Sequence, residues 1–436
     1  MKTKKVLWGA GSILIIGLAA AAVWWLRRPQ VITFSDDSKV TLLGADYGKL
    51  HVPPTVKAPA AFTNRALLQR GGVSFATADD MLVVWIRQEY DSGQWHNFQY
   101  YLYDKSGTVC VGSSGMNYDI RTHPNNRIVG IEFSAFPRRQ GKFLVGIQEN
   151  GNGGQEMSGQ KFVISNPARG PFTKWTAESL PGTKDDDDLS VTLTRLVFGA
   201  DTTYNRNQDN ADDPVNKGVQ ATFNVSRNGK PVTNWKPVSI VTSDATGNHI
   251  NGSANNQWQG KDDVATYQWG LWPDEPAWKI KFEFSQQTDF AANELWTVQN
   301  IPVQQGRRQD FYNYARNSQT NAVVAETYLN GIHLKIFPAK QFTDVGPNSQ
   351  PQGVLVIQSE PTLLDGMRMT IVKLTDDQGN DIGYWSGGWN GSGTSTLYQF
   401  SLRDVAGATN LNLTIALHKS RFVEFTAKPE KAAAAQ

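Results

Sequence analysis

Val219-Gln220-Ala221-Thr222-Phe223-Asn224-Val225 places an apolar side chain at every second position, with polar ones between. Successive side chains of a β-strand point to opposite faces, so this spacing buries one face and wets the other. The same period recurs in residues 191–196, 280–284, 367–371 and 411–417, in runs separated by Gly, Asn, Asp and Pro. Those residues favour tight turns, so the chain reads as antiparallel strands on short connections. No long stretch of helical periodicity follows residue 30.

Several signals then return in one order, as expected of repeated units. A strand reaches glycine from Val40-Thr41-Leu42 to Gly48, from Val191-Thr192-Leu193 to Gly199, and from Val323 to Gly331. A turn of the form D-x-x-G follows at Asp104 to Gly107, Asp244 to Gly247 and Asp376 to Gly379, where Asp can cap the turn and Gly can take positive φ. Beyond each turn come an aromatic (Tyr118, Trp258, Trp389) and a second aromatic group at Phe133 and Phe136, Trp269 and Trp272, and Phe400. Each unit is expected to close on an aromatic strand running to proline: Phe162 to Pro167, Trp296 to Pro302, Phe422 to Pro429.

The pattern predicts an all-β protein of three tandem immunoglobulin-like β-sandwich domains at 31–168, 187–304 and 322–430, with linkers at 169–186 and 305–321 and a disordered tail at 431–436. An antiparallel barrel is the alternative. The immunoglobulin likeness is architectural, because one cysteine, Cys110, excludes both a Cys, Trp, Cys spacing and an internal disulfide framework.

The chain has 436 residues, 42 Lys and Arg against 40 Asp and Glu, a net charge of +2, and 14 Trp. So balanced a charge gives no field for nucleic-acid phosphates. Residues 7–26 contain no ionisable side chain and are long enough to cross a bilayer as one helix. Lys2, Lys4 and Lys5 precede them, Arg27 and Arg28 follow, and Trp24 and Trp25 sit where interfacial aromatics are favoured. The expectation is a single-pass membrane protein, residues 1–30 forming a cytoplasmic tip and anchor, with the bulk extracytoplasmic in periplasm or at the cell surface. A cleaved signal peptide is the competing reading, since Ala19 to Ala22 offer small residues for cleavage.

Catalytic patterns are not found. Gly112-Ser113-Ser114-Gly115 lacks the spacing of a nucleophile elbow, and no Walker A loop is present. His51, His96, His123, His249, His333 and His418 form no H-x-H or H-E-x-x-H pair and read as isolated surface side chains, so no metal site or cofactor is expected. Asp185 to Asp188 and Asp209, Asp212 and Asp213 offer oxygen ligands for calcium but do not match an EF-hand loop, and read as solvated charge. Arg138 with Arg139, and Arg307 with Arg308, read as solvated turn charge rather than anion-binding pairs. Trp258, Trp269, Trp272 and Trp389 align with aromatics of the other units, for which core packing is the first reading. Trp385 has no counterpart and lies with Trp389 in the Gly-rich stretch 384–391, making these two the candidate ligand-binding residues.

Repetition without a shared polar cluster suggests a non-enzymatic scaffold or protein-interaction stalk, tethered to the membrane, with a protein partner or cell-surface ligand. The alternatives are a cell-surface carbohydrate- or ligand-binding protein using loops of one unit, and a β-sandwich glycan hydrolase.

Overall fold

A computed structural model of the protein describes residues 30–52, 75–90, 97–105, 107–112, 115–123, 126–151, 154–157, 159–168, 170–201, 217–253, 264–267, 271–308, 322–344, 351–364, 366–392 and 394–432. They form an all-β protein of several sheets, consistent with β-sandwich architecture, and their one helical element is the 3-10 turn Ala292–Glu294. The expected anchor at 7–26 lies outside the described residues. Among those described, no helix is long and apolar enough to cross a membrane.

Ten strands occupy the first part of the chain: β1 (Val31–Thr33), β2 (Lys39–His51), β3 (Phe75–Glu89), β4 (Asn97–Tyr103), β5 (Val109–Gly112), β6 (Gly115–His123), β7 (Asn126–Phe133), β8 (Lys142–Gly151), β9 (Gly154–Met157) and β10 (Phe162–Ser165). One sheet has the order β1-β2-β3-β7-β6, and the facing sheet β10-β8-β4-β5, with β9 on β8. The alternation predicts which side chains meet between them: Leu82, Val84 and Ile86 of β3 and Val129, Ile131 and Phe133 of β7 join Phe143, Val145 and Ile147 of β8 in one buried cluster.

Next come β11 (Gly182–Asp186), β12 (Leu189–Asp201), β13 (Lys217–Arg227), β14 (Lys230–Pro231), β15 (Trp235–Asp244), β16 (His249–Ser253), β17 (Val264–Tyr267) and β18 (Trp278–Gln286). The last part holds β19 (Leu295–Gly306), β20 (Ala325–Leu329), β21 (Ile332–Ile336), β22 (Ala339–Phe342), β23 (Gly353–Glu360), β24 (Met367–Asp376), β25 (Tyr384–Ser392), β26 (Ser395–Leu402), β27 (Asn410–Lys419), β28 (Arg421–Ala427) and β29 (Glu430–Lys431).

One strand order is used three times. The run β1-β2-β3-β7 of the first sheet pair returns as β11-β12-β13-β17 in the second and, through the pairings of β23 with β21 and β26, as β20-β21-β23-β26 in the third. The facing run β4-β8-β10 returns as β15-β18-β28 and as β24-β27-β19.

That last correspondence corrects the expected closing strands. Phe422 to Pro429 was expected to close the third unit, yet β28 lies antiparallel to β18, pairing Phe425 with Ile280 and Phe422 with Glu283. Trp296 to Pro302 was expected to close the second, yet β19 pairs with β27 from Leu295↔Ala416 to Pro302↔Asn410. The two strands have traded sheets. Alternation tells which side chains of a strand face inward but not which neighbour it pairs with, so the exchange is invisible to the pattern. After its proline each strand moves to the opposite sheet in parallel: Val303 pairs with Ala339 beyond Pro302, and Glu430 pairs with Val197 beyond Pro429.

The inner faces agree with this pairing. Val423, Phe425 and Ala427 are buried with Phe282 and Trp278, the Phe425 and Phe282 ring centroids lying 6.2 Å apart. The third pair encloses a separate core that includes Ile301, Leu334, Leu355, Leu402, Leu413 and Ile415.

Of the three strand-to-glycine matches, two are equivalent. Gly48 and Gly199 each sit at a register shift, in β2 between Gly48 and Leu50 and in β12 between Phe198 and Ala200. Gly331, at φ 80°, instead follows Asn330 in the two-residue turn of the β20–β21 hairpin. The D-x-x-G turns match throughout: Gly107, Gly247 and Gly379 lie at φ 86°, 90° and 84°, and each donates its N–H to the carbonyl of the turn aspartate at 3.1, 3.1 and 3.2 Å.

Candidate functional site

The first and second sheet pairs meet at the Asp244 turn. The Asp244 carboxylate accepts from the Thr246 N–H at 2.8 Å and from Asn248 Nδ2 at 2.9 Å, which fixes the Asn248 amide. That amide meets the peptide at Phe136 as a strand would, accepting the Phe136 N–H at 3.1 Å and donating to its carbonyl at 2.9 Å. Arg138 donates to the Thr246 carbonyl at 2.9 Å, and its guanidinium lies 4.8 Å from the Tyr47 ring centroid and 5.0 Å from that of Phe136.

Arg138 is only 8% exposed and Arg139 holds Glu275 through two hydrogen bonds at 2.9 and 3.0 Å, so neither is the solvated turn charge that was expected. Burial lowers the Arg138 pKa below that of an ordinary guanidinium, and burial raises that of Glu275 against the lowering hydrogen bond from Arg139. Arg139 also donates to the Phe172 and Thr173 carbonyls, and the Glu178 N–H reaches the Thr426 carbonyl at 2.7 Å. Residues 172–178, read as linker, thus run from Arg139 to the edge of β28.

The acidic run 185–188 has a mechanical role. Asp185 accepts from the Ser190 hydroxyl, Asp186 accepts the Phe422 N–H at 2.7 Å, and Asp188 binds Arg227 and Arg421. The Arg227 hydrogen bond, helped by the Arg227 charge and by the bond and charge of Arg421, holds the Asp188 carboxyl below its usual range against the opposing effect of burial. Asp186 and Asp188 thus clamp the start of the exchanged strand β28. Among the described residues, no group of three or more His, Cys, Asp or Glu is placed to hold a metal. Asp209, Asp212 and Asp213 lie outside them.

Two histidines depart from the surface expectation. His51 is buried between Asp46, bonded to its Nδ1, and Thr77 Oγ1, 3.3 Å from Nε2, while Trp85 Nε1 donates to the other Asp46 oxygen at 2.9 Å. His418 is buried on the outer face of β27 against Phe290, the rings 4.8 Å apart. Burial first, then the Arg368 charge, pushes its pKa down to about 4.

Between the second and third sheet pairs lies a cleft of about 640 Å³. Its floor is the outer face of the second pair, where Ser239, Lys281, Glu283 and Phe422 stand side by side on β15, β18 and β28. Its wall is the open margin of the third pair, between edge strand β24 and strand β26. Met367 and Met369 of β24 and Tyr398 and Phe400 of β26 face inward there, and Leu363 and Leu364 flank them. Arg368, on the other face of β24, crosses to Glu283 and binds it through both carboxylate oxygens. Burial opposes the charge on Glu283, but the bonds from Arg368 and Ser420 and the charges of Arg368 and Lys281 outweigh it and hold its pKa down.

Of the two sequence-predicted aromatics, Trp385 lies elsewhere. Trp385 is half-buried on β25, opposite Ser401 of β26, with the Arg403 guanidinium 5.7 Å from its ring centroid. Tyr384 beside it points the other way, its hydroxyl donating to the Ile371 carbonyl at 2.8 Å. Trp389 pairs with Tyr398 through its backbone, and its side chain lies outside the described residues. Trp385 does not line the cleft. Sequence reasoning missed Lys281, Glu283, Met367, Arg368 and Met369, because they look like ordinary alternating strand residues until the exchange of β28 and β19 brings their strands together.

Comparison with protein-family models gives no match for the chain, and comparison with curated proteins gives none.

Proposed function

We propose that the protein is a membrane-tethered, non-enzymatic extracytoplasmic scaffold made of three immunoglobulin-like β-sandwich units that hold fixed positions along the chain. The single observation carrying this reading is the exchange of closing strands: β28 completes the second sheet pair and β19 the third, so these two cannot part without losing a strand each. The Asn248 amide at the other junction acts to the same end. A flexible tether needs no buried side chains at its joints, whereas a scaffold that presents partners at set distances does. The N-terminal hydrophobic segment supplies the tether in this reading.

The test is affinity purification of the full chain from detergent extracts with the N-terminal segment intact. A defined protein complex should copurify. Retention of no protein, together with glycan binding that Trp385→Ala abolishes, would replace the scaffold with the carbohydrate-binding alternative. Hydrolysis of a glycan by the purified chain would favour the enzyme alternative.

A further inference from the structure

We infer that the cleft between the second and third sheet pairs is a binding site for an amphipathic monoanion, an apolar chain bearing one carboxylate-like head. A cavity of about 640 Å³ falls within the roughly 300–1,000 Å³ typical of small-molecule sites, which are mostly apolar with a few placed polar groups. Here the apolar part is the inner margin of the third pair, contributed by Met367, Met369, Tyr398 and Phe400. Methionine is unbranched and polarisable, so two of them let the slot fit a flexible chain without a fixed shape.

The polar groups stand on the opposite side, at the floor. The charged ones are Lys281 and Glu283 of the floor and Arg368, which crosses to it from β24, two cations against one carboxylate. Glu283 is taken up by Arg368. Lys281 is exposed, has no salt-bridge partner among the described residues, and rests its ammonium 4.6 Å from the centroid of the Phe422 ring. An anionic head fits that remaining positive charge, and a cationic head meets repulsion there. Leu364, 71% exposed at the rim, extends apolar surface toward solvent where a chain would enter.

The site is independent of the scaffold role, and the experiment reads it without reference to any protein partner. The full chain is reconstituted in lipid nanodiscs and photolysed with a twelve-carbon carboxylate bearing a terminal diazirine, and labelled peptides are mapped by mass spectrometry. Label is expected on the segments carrying Met367, Met369 and Tyr398, displaced by unlabelled dodecanoate and not by dodecyltrimethylammonium. Met369→Trp fills the slot and should lower site labelling by about tenfold, a loss of about 1.4 kcal/mol of binding. Lys281→Ala leaves the slot open and should erase the preference for the anionic competitor. Unchanged melting temperature shows that each variant is folded. Label spread over the surface without competition, or labelling that Met369→Trp leaves intact, overturns the site. Equal displacement by both competitors in the unmodified chain overturns the assignment of an anionic head.

Discussion

The two junctions are built from different materials. Between the first and second sheet pairs, whose buried apolar residues form one continuous cluster, the polar contacts are made by side chains: Asn248 on the Phe136 peptide, Arg138 on the Thr246 carbonyl, and the Arg139–Glu275 ion pair. Between the second and third, the main chain itself crosses over, and side chains such as Arg368 and Glu283 only trim the contact. A junction closed by side chains leaves a buried polar group without its partner when one side chain is removed. A strand junction depends on an apolar face and a ladder, so it resists single polar changes but couples the stability of both pairs. Five substitutions test this comparison.

The largest effect is expected from Phe425→Ala on β28. Phe425 is buried beside Phe282, and deleting a phenylalanine ring from a packed core costs about 3–5 kcal/mol. If the strand belongs to the second pair, native-state hydrogen exchange should quicken in β15 and β18 rather than in β24 and β27. Faster exchange confined to β24 and β27 would refute the strand exchange.

Asn248→Ala should come next, at about 2–4 kcal/mol, because it leaves the Phe136 N–H and carbonyl buried without partners at their usual distances. Asn380 is its internal control. It occupies the same place in the Asp376 turn, bonding Asp376 at 2.8 Å, but Asn380 is exposed where Asn248 is buried. Asn380→Ala should therefore cost about 1 kcal/mol or less. Equal losses in urea denaturation would show that the amide serves the turn and not the junction. Gly247 narrows the same junction, since a side-chain carbon there would meet Arg138 Nη1 at 3.0 Å in a backbone already at φ 90°.

His418 makes the second junction pH-sensitive. Its folded pKa of about 4 lies below the ordinary 6.5, so below 6.5 the unfolded chain takes up a proton that the folded chain refuses. Stability should fall as pH drops from about 6.5 to 4, by roughly 2–3 kcal/mol, and level off below. His418→Gln should remove that slope over this window. Persistence of the slope in the variant would assign the acid sensitivity to other groups.

How far the sequence foretold this architecture differs from residue to residue. The three Asp turns were legible because their chemistry is local: an aspartate that caps its own turn and a glycine at positive φ must occur at a fixed spacing wherever the turn occurs. Strand positions were legible for the same reason, each inner face following from its own alternation. Partners were not. Phe422 to Pro429 has the same inward pattern whether it pairs with β27 or with β18, and only the shape of the Phe282 and Trp278 core decides. The burial of Arg138 was hidden because a guanidinium next to proline in a turn is normally wet, and its rings, Tyr47 on β2 and Phe136 in the loop after β7, lie far apart in the sequence. Lys281 and Met369 were hidden for the reason that conceals most clefts: each is unremarkable alone, and their proximity is a property of the crossing.

The smallest expected effect concerns the residue that the sequence did single out. Trp385 is half-buried on edge strand β25 and stacks with Arg403 at 5.7 Å, an exposed cation–π contact worth about 0.5–1 kcal/mol. Trp385→Ala should thus barely change stability, far less than Phe425→Ala, because its ring faces away from the core that Tyr384 and Phe400 border. That separation makes the variant informative about binding. A loss of ligand or partner without a change in unfolding midpoint would give Trp385 a surface role, and a loss of several kcal/mol would make it a structural residue of the third sheet pair.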